Sequence, residues 1–328
     1  MEFVRTPEAR FENLKEYDFD PNYLEIVTAD GTPLRIHYLD EGPRDGELIL
    51  CMHGQPSWSF LYRKMIPLLT EAGFRVIAPD LVGFGKSDKP ISVDDYSYQA
   101  HVDWMTAWLT GLDINDITLV CQDWGGLIGL RLAGEQTSRF KRLVVANTTL
   151  PASNMVSEEM SETLQKLYEA LPEVNANDVR EQFAAGSPSA FLYWIKYCAS
   201  SQGLSVRDVF GLLSNIKEEA ALDGYEAPFP DETHLAGVRK FPSLVPLRPA
   251  GKPDRLKGDA AWEALEASNL PVLTAFSDRD PVSRGGEKHF IDRLRNVTNV
   301  TIKGGGHFLQ DDRPHEFSEE IIRFMRGT

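Results

Sequence analysis

Short apolar runs that alternate with helical patterns constrain the fold of this chain more than any other feature of its sequence. The runs are Glu47–Met52 (ELILCM), Phe74–Ala78 (FRVIA), Ile117–Cys121 (ITLVC), Leu143–Ala146 (LVVA), Pro271–Phe276 (PVLTAF) and Val300–Lys303 (VTIK). Each has the length of a strand and ends at a turn signal. Helical spacing follows over Leu61–Glu71, stopping at Gly73, then over the Trp-rich Val102–Leu112, and again from Leu127 to Ala133. Strands separated by helices in this way imply βαβ units and a mostly parallel sheet flanked by helices.

The rhythm breaks after Pro151. From Ser157 to about Leu222 there are helical segments and no convincing strand, and strands resume only at Pro271. The economical reading is one α/β core, residues 1–151 and 228–328, split by a helical cap over 152–227. The proline-bearing stretch Ala227–Pro253 is expected to return the chain to the sheet along the surface. His315–Met325 reads as a closing amphipathic helix.

Length and charge narrow the function. A chain of 328 residues suits one large domain or a core with one insertion. The formal net charge of −15 argues against nucleic acid or an anionic membrane as partner. Three cysteines, Cys51, Cys121 and Cys198, sit in apolar stretches without CxxC spacing, so neither a disulfide framework nor a zinc site is expected. The N-terminus lacks an apolar run of signal-peptide length, and no stretch approaches a membrane span. Asn147, Asn296 and Asn299 begin Asn-X-Ser/Thr triplets, which are chance matches without a secretion signal. The expectation is a cytoplasmic monomer.

The chemistry concentrates at Ile117-Thr-Leu-Val-Cys-Gln-Asp-Trp-Gly-Gly. Asp123 stands between a strand and a helix, followed at once by Trp124 and two glycines. A side chain on so tight a turn projects above the sheet edge, toward the free N–H groups of the new helix. The usual elbow is Gly-x-nucleophile-x-Gly; here Cys121 takes the place of the first glycine and Gly125 supplies the second. On position alone, an aspartate before a helix is more often its N-cap than a catalyst.

Three other segments shift that balance. His53-Gly54-Gln55-Pro56 follows a strand, where such a loop supplies a backbone N–H to an oxyanion hole. Ser277-Asp278-Arg279-Asp280-Pro281 puts carboxylates just past another strand; Asp280, followed by Pro-Val, fits the acid position better than Asp278. Gly304-Gly305-Gly306-His307 places a histidine on a free-moving loop after the last strand. That loop lacks the Lys-Ser/Thr of a phosphate-binding loop, and no helix starts there. Nucleophile, acid and histidine thus occur in the chain order of α/β-hydrolases.

Aspartate in place of serine changes the reaction. A carboxylate is ionised at neutral pH and can displace a leaving group from saturated carbon, forming an ester that water can hydrolyse. Serine would form an ether, a dead end. The histidine is then the base for water in the second step, oriented by the acid. An epoxide or a carbon–halogen bond is the natural target. An epoxide oxygen needs a proton donor, and Tyr193 and Tyr197 in the cap keep that reading open. A halide needs only N–H donors in a dry site, which Trp124 and the cap residue Trp194 could supply. Packing is the commoner fate of a helical tryptophan.

The segments from His53 to Pro67, Gln122-Asp-Trp-Gly-Gly, Ala227-Pro-Phe-Pro-Asp with Ala236-Gly-Val-Arg-Lys-Phe-Pro, and Gly305-Gly-His-Phe-Leu-Gln resemble haloalkane dehalogenases. The resemblance runs from about Tyr23 to the C-terminal helix. It is nearest to the subfamily whose second halide-binding tryptophan lies in the cap. It implies an α/β-hydrolase fold with an inserted cap, Asp123 as nucleophile, His307 as base and Asp280 as acid. It further implies halide held by Trp124 and Trp194, and an oxyanion hole from the backbone N–H groups of Gln55 and Trp124. No cofactor or metal is implied; the partners are a small apolar halogenated substrate, water and a halide ion. Fluoroacetate dehalogenases carry Asp-Arg after the elbow strand, whereas this chain has Asp-Trp. An epoxide hydrolase and a non-catalytic relative that binds a small ligand are the alternatives, the latter disfavoured by an intact triad. A serine esterase lacks its serine here.

Overall fold

The apolar runs form six adjacent strands of an eight-stranded sheet, the last of them an edge strand. The computed structural model describes residues 1–328, the side chain of Leu212 excepted. In chain order the strands are β1 (Asn22–Val27), β2 (Pro33–Glu41), β3 (Leu48–Met52), β4 (Arg75–Pro79), β5 (Ile117–Gln122), β6 (Phe140–Ala146), β7 (Val272–Ser277) and β8 (Val297–Ile302). Across the sheet they lie in the order β1-β2-β4-β3-β5-β6-β7-β8. The pairs β1/β2 and β2/β4 are antiparallel, and all pairs from β4 to β8 are parallel. Every residue of β3, β5 and β7 is buried, as parallel strands covered on both faces must be.

Helices α1 (Met65–Glu71), α2 (Tyr98–Leu112) and α3 (Trp124–Glu135) cross between the first parallel strands. After β6 come α4 (Glu158–Ala170), α5 (Ala176–Ala184), α6 (Ala190–Ser200), α7 (Val206–Leu213) and α8 (Glu219–Glu226), with no strand among them. Their starts are written locally. Ser157 and Ser205 accept hydrogen bonds from the backbone N–H groups of Met160 and Asp208, and Asn175 forms a capping box with Asp178. Such caps contribute about 1 kcal/mol each. None of the described helices is long and apolar enough to cross a membrane.

The stretch Ala227–Pro253 departs from the surface path expected of it. It folds into α9 (Ala236–Leu244), whose Val238 and Phe241 are fully buried, before α10 (Lys252–Ser268). Its prolines suggested a surface return, yet Pro242 is accommodated in the last half of α9. A proline there has no N–H for the carbonyl of residue 238, and that carbonyl finds another donor, described below. The chain closes with α11 (Glu287–Arg293), α12 (Leu309–Asp312) and α13 (Pro314–Gly327).

Strand order reverses at β3, which lies between β4 and β5. The crevice at the carboxyl ends of strands around such a reversal is where open α/β sheets bind ligands. Gln55, Asp123, Asn147, Asp280 and His307 each follow a different strand at that edge: β3, β5, β6, β7 and β8.

Candidate active site

Asp123 occupies the position before α3 but does not cap it. Its side chain makes no capping bond, and its backbone is held at φ 50°, ψ −129°, in the left-handed half of conformational space. A non-glycine residue adopts that geometry only where its surroundings enforce it. They do so here. The Asp123 N–H donates to the Asn147 carbonyl at 3.1 Å, and the Thr148 hydroxyl donates to the Asp123 carbonyl at 2.6 Å. The turn also needs small neighbours. A Cβ on Gly125 would come 2.7 Å from the His53 carbonyl oxygen, and one on Gly126 2.6 Å from Cβ of Thr148. Cys121 is fully buried in β5.

The aspartate side chain points away from the helix, toward two donors. Its Oδ1 accepts the Gln55 backbone N–H at 2.8 Å, and its Oδ2 lies 3.4 Å from His307 Nε2. On the far side of the imidazole, Nδ1 is 3.0 Å from Asp280 Oδ1. Asp280 is buried and accepts the Val282 N–H at 2.8 Å, the Ser283 N–H at 3.1 Å and the Ser283 hydroxyl. The alternative acid, Asp278, instead accepts the Gly304 N–H at 2.7 Å.

Burial alone would depress the His307 pKa, but the Asp280 and Asp123 carboxylates outweigh it and hold the imidazole up at about 10. Burial would raise Asp280, yet the imidazole and the Ser283 and Val282 donors leave it below its usual range. The three side chains therefore share one buried network in which the cation is favoured while both carboxylates are ionised.

His53 plays a different part. Its Nε2 accepts the Leu81 N–H at 2.9 Å, so the proton sits on Nδ1, 2.8 Å from the Gly54 carbonyl oxygen. Burial lowers its pKa, and the neutral ring braces the loop that presents the Gln55 N–H.

Asp123 and His307 open into a cavity of about 570 Å³. Its walls include Phe183, Pro188 and Phe191 from the helical insertion and Val245, Leu247 and Val282 from the later loops. Neither Tyr193 nor Tyr197 lines it. Trp124 and Trp194 are also absent from its walls. Both are buried, and among the described residues neither indole N–H has an acceptor; the N–H of the fully buried Trp108 is likewise unpaired, whereas those of Trp58 and Trp262 donate to the carbonyls of Gly224 and Leu150. The Trp124 ring packs edge-on against Phe241 of α9 at 4.9 Å and Tyr98 at 5.3 Å between centroids. Trp194 lies on α6, which packs on α9.

Two parts of the site escape the sequence reading. Asn147 donates through Nδ2 to the carbonyls of Gly306 and His307, both at 3.0 Å, and accepts the Ser277 N–H at 2.9 Å. It thereby joins the nucleophile's backbone to the histidine loop. Its only local signal is a position just past a strand, at the same sheet edge as the other candidates. The second is the Gln55 side chain, which donates to the Val238 carbonyl at 3.1 Å, the group that Pro242 leaves without a helical donor.

Comparison with known proteins agrees with this architecture. Residues 47–314 match the family model described as the alpha/beta hydrolase fold. The chain is 43% identical to a haloalkane dehalogenase of Psychrobacter cryohalolentis over 100% of its own length and 99% of the relative's. It is 42% identical to one of Mycolicibacterium paratuberculosis, again over 100% and 99%. The tetrameric haloalkane dehalogenase DpaA of Paraglaciecola agarilytica superimposes with a TM-score of 0.80 at 30% identity, covering 98% of this chain and 97% of that one.

Proposed function

The chain belongs to the haloalkane dehalogenases, α/β-hydrolase-fold enzymes that cleave carbon–halogen bonds hydrolytically, and we propose that Asp123, His307 and Asp280 carry out that reaction here as nucleophile, base and acid. The supporting observation is the line Asp123–His307–Asp280, with 3.4 Å and 3.0 Å between its members.

In the first step Asp123 Oδ2 attacks the carbon that bears the halogen, because Oδ1 is engaged by the Gln55 N–H. The carbon–halogen bond breaks with its electron pair on the halide, and an alkyl ester of Asp123 forms. The indole N–H groups of Trp124, which directly follows the nucleophile, and of Trp194 receive the halide. Esterification also removes the negative charge on Asp123. One of the two carboxylates that hold His307 at about 10 is then gone, so the imidazole gives up its proton more readily at the step that needs a base. His307 then takes a proton from water, whose oxygen attacks the ester carbonyl. Negative charge develops on the carbonyl oxygen, beside the Gln55 N–H, with the backbone N–H of Trp124 at the start of α3 read as the second donor. Collapse returns the alcohol and the free carboxylate, and the net products are alcohol, halide and a proton. Asp280 keeps the imidazolium oriented and stabilised throughout.

The test is halide release from 1-bromobutane or 1,2-dibromoethane by the wild type beside Asp123→Ala, with mass spectrometry of His307→Gln. Release that vanishes in the first variant and an ester on Asp123 in the second support the scheme. An active Asp123→Ala protein, or no adduct in His307→Gln, removes it.

The helical cap is read as residues 152–227, with α9 as its link to Trp124. The chain is further read as a cytoplasmic monomer. Three buried free thiols suit a reducing compartment. Large exposed apolar side chains such as Val27, Met160 and Leu256 lie on separate elements. Light scattering decides between a monomer and the tetramer described for DpaA.

A further inference from the structure

The loop that carries His307 has three successive glycines, Gly304 to Gly306, and so cannot set its own position. Hydrogen bonds from two sides set it instead. From the core, Asn147 holds the carbonyls of Gly306 and His307. From the other side the contacts come from the joint between α7 and α8 and from Asp312 of α12. The His307 backbone N–H donates to the Leu213 carbonyl at 3.1 Å. The Gly306 N–H donates to Asp312 Oδ2 at 2.7 Å. The same carboxylate accepts the Asn215 side-chain amide at 2.9 Å through Oδ2, and the Asn215 backbone N–H at 3.2 Å through Oδ1. Asn215 also reaches the Gly304 carbonyl at 3.4 Å. The fit is close: a Cβ on Gly306 would meet Asp312 Oδ2 at 3.1 Å, the Leu213 carbonyl oxygen at 3.2 Å and Asn215 Nδ2 at 3.7 Å.

We propose that Asp312 and Asn215 are positioning residues for His307, and that through them the α7–α8 joint sets the rate of ester hydrolysis. The inference rests on the reading of His307 as the base for water. The assignment to the second step follows from what each step needs. Alkylation needs the Asp123 carboxylate, whose Oδ1 is held by the Gln55 N–H and whose backbone is held by Asn147 and Thr148; the histidine loop meets the carboxylate itself only through the 3.4 Å contact of His307 Nε2 with Oδ2. Hydrolysis needs the imidazole nitrogen within hydrogen-bond reach of both water and the ester, a geometry that tolerates little displacement. Loosening the loop therefore slows the second step and spares the first.

The experiment uses the full-length enzyme carrying Asp312→Asn, Asn215→Ala, or both, with 1,2-dibromoethane in rapid-quench assays. The first turnover's bromide burst should stay within about twofold of wild type. The steady-state rate should fall about ten- to a hundredfold, with the Asp123 ester accumulating in mass spectra. The double variant should cost about as much as the worse single one, because the two residues act as a unit. A merely structural role lowers burst and steady state together, and that result overturns the proposal. So does an unchanged steady-state rate. Asn215 is exposed, so Asn215→Ala keeps the test decisive if Asp312→Asn does not fold. Failure of the wild-type scheme itself shows separately, as the absence of any ester in His307→Gln.

Discussion

Gly54 and Asp123 approach so closely that no side chain fits between them. A Cβ on Gly54 would lie 2.6 Å from the carboxyl carbon of Asp123 and would overlap its Cβ and Oδ1. The glycine is therefore part of the nucleophile's seat, and not only a turn residue of the loop it shares with Gln55. Gly54→Ala should displace the carboxylate from the Gln55 N–H and from His307 together. A displacement on the order of 1 Å costs about a hundredfold in rate, so halide release should fall by at least that much while the far-ultraviolet circular dichroism stays native. Wild-type turnover in the variant would mean that Asp123 has room to move without losing its alignment.

The pH dependence of stability separates two buried basic groups whose pKa values shift in opposite directions. His307 binds its proton more tightly folded than unfolded, with a pKa of about 10 against an ordinary 6.5. Between those values the folded state carries the extra proton, so this contribution is complete below 6.5 and is lost as pH rises through 10. Lys89 is the reverse. Fully buried, with its amine on the carbonyls of Gly85 and Ser87 at 2.6 and 3.1 Å, it is pushed down by burial from 10.5 to about 7. Between 7 and 10.5 the unfolded chain carries the extra proton, so stability rises with pH. Each slope is about 1.4 kcal/mol per pH unit, and they oppose. Denaturant unfolding from about pH 7 to about pH 7.5, below the main ionisation of unfolded cysteines and tyrosines, should therefore be nearly flat for these two groups. His307→Gln should make stability rise with pH, and Lys89→Met should make it fall. Equal slopes in both variants would contradict the assignment.

What the sequence made legible, and what it hid, follow one physical distinction. Asp123, Asp280, His307 and Gln55 each stand just past an apolar run, so strand and site are read from the same few residues. Asn147 stands in the same kind of place, but its partners are Gly306 and His307, far along the chain, and no local pattern reports them. The choice between Asp278 and Asp280 is also non-local, because both bind the histidine segment and only Asp280 meets the ring. The antiparallel strands β1 and β2 were missed for another reason. β1 is a half-exposed edge strand, and β2 interrupts its apolar pattern with His37 and Asp40. His37 makes a buried contact with Asp80 at 2.7 Å, and Asp40 a partly buried one with Arg75 at 2.8 Å. Polar residues paired in this way break the pattern on which a sequence reading relies. Pro242 misled in the same manner, since its missing N–H is offset by Gln55, which lies on the far side of the fold in sequence.

The indole of Trp124 separates packing from donation. Its ring contacts with Phe241 and Tyr98 do not use the N–H, so Trp124→Phe should retain the packing and lose only the donor. Removing one donor to a developing anion typically costs about a hundredfold or more. Dehalogenation should fall by about that factor, product inhibition by bromide should weaken, and the thermal midpoint should move by only a few degrees. An unchanged bromide inhibition constant would assign the indole to packing alone.

The last prediction concerns the carbonyl that Pro242 leaves open. In a regular helix the Val238 carbonyl would accept the N–H of residue 242; proline has none, and the Gln55 amide donates instead at 3.1 Å. Gln55 is also the residue whose backbone N–H holds Asp123 Oδ1, so α9 steadies the nucleophile through one side chain. Gln55→Ala removes that tie while keeping the backbone donor. Pro242→Ala restores a competing helical N–H and should loosen the same tie without touching the loop. One hydrogen bond contributes about 0.5–1.5 kcal/mol, equivalent to about two- to tenfold in rate. Both variants should slow alkylation, read as the first-turnover halide burst, by a factor in that range, and the double variant should lose no more than the worse of the two. If Pro242→Ala leaves the burst unchanged while Gln55→Ala slows it, the carbonyl serves both donors through its two lone pairs, and the proline is a packing residue alone.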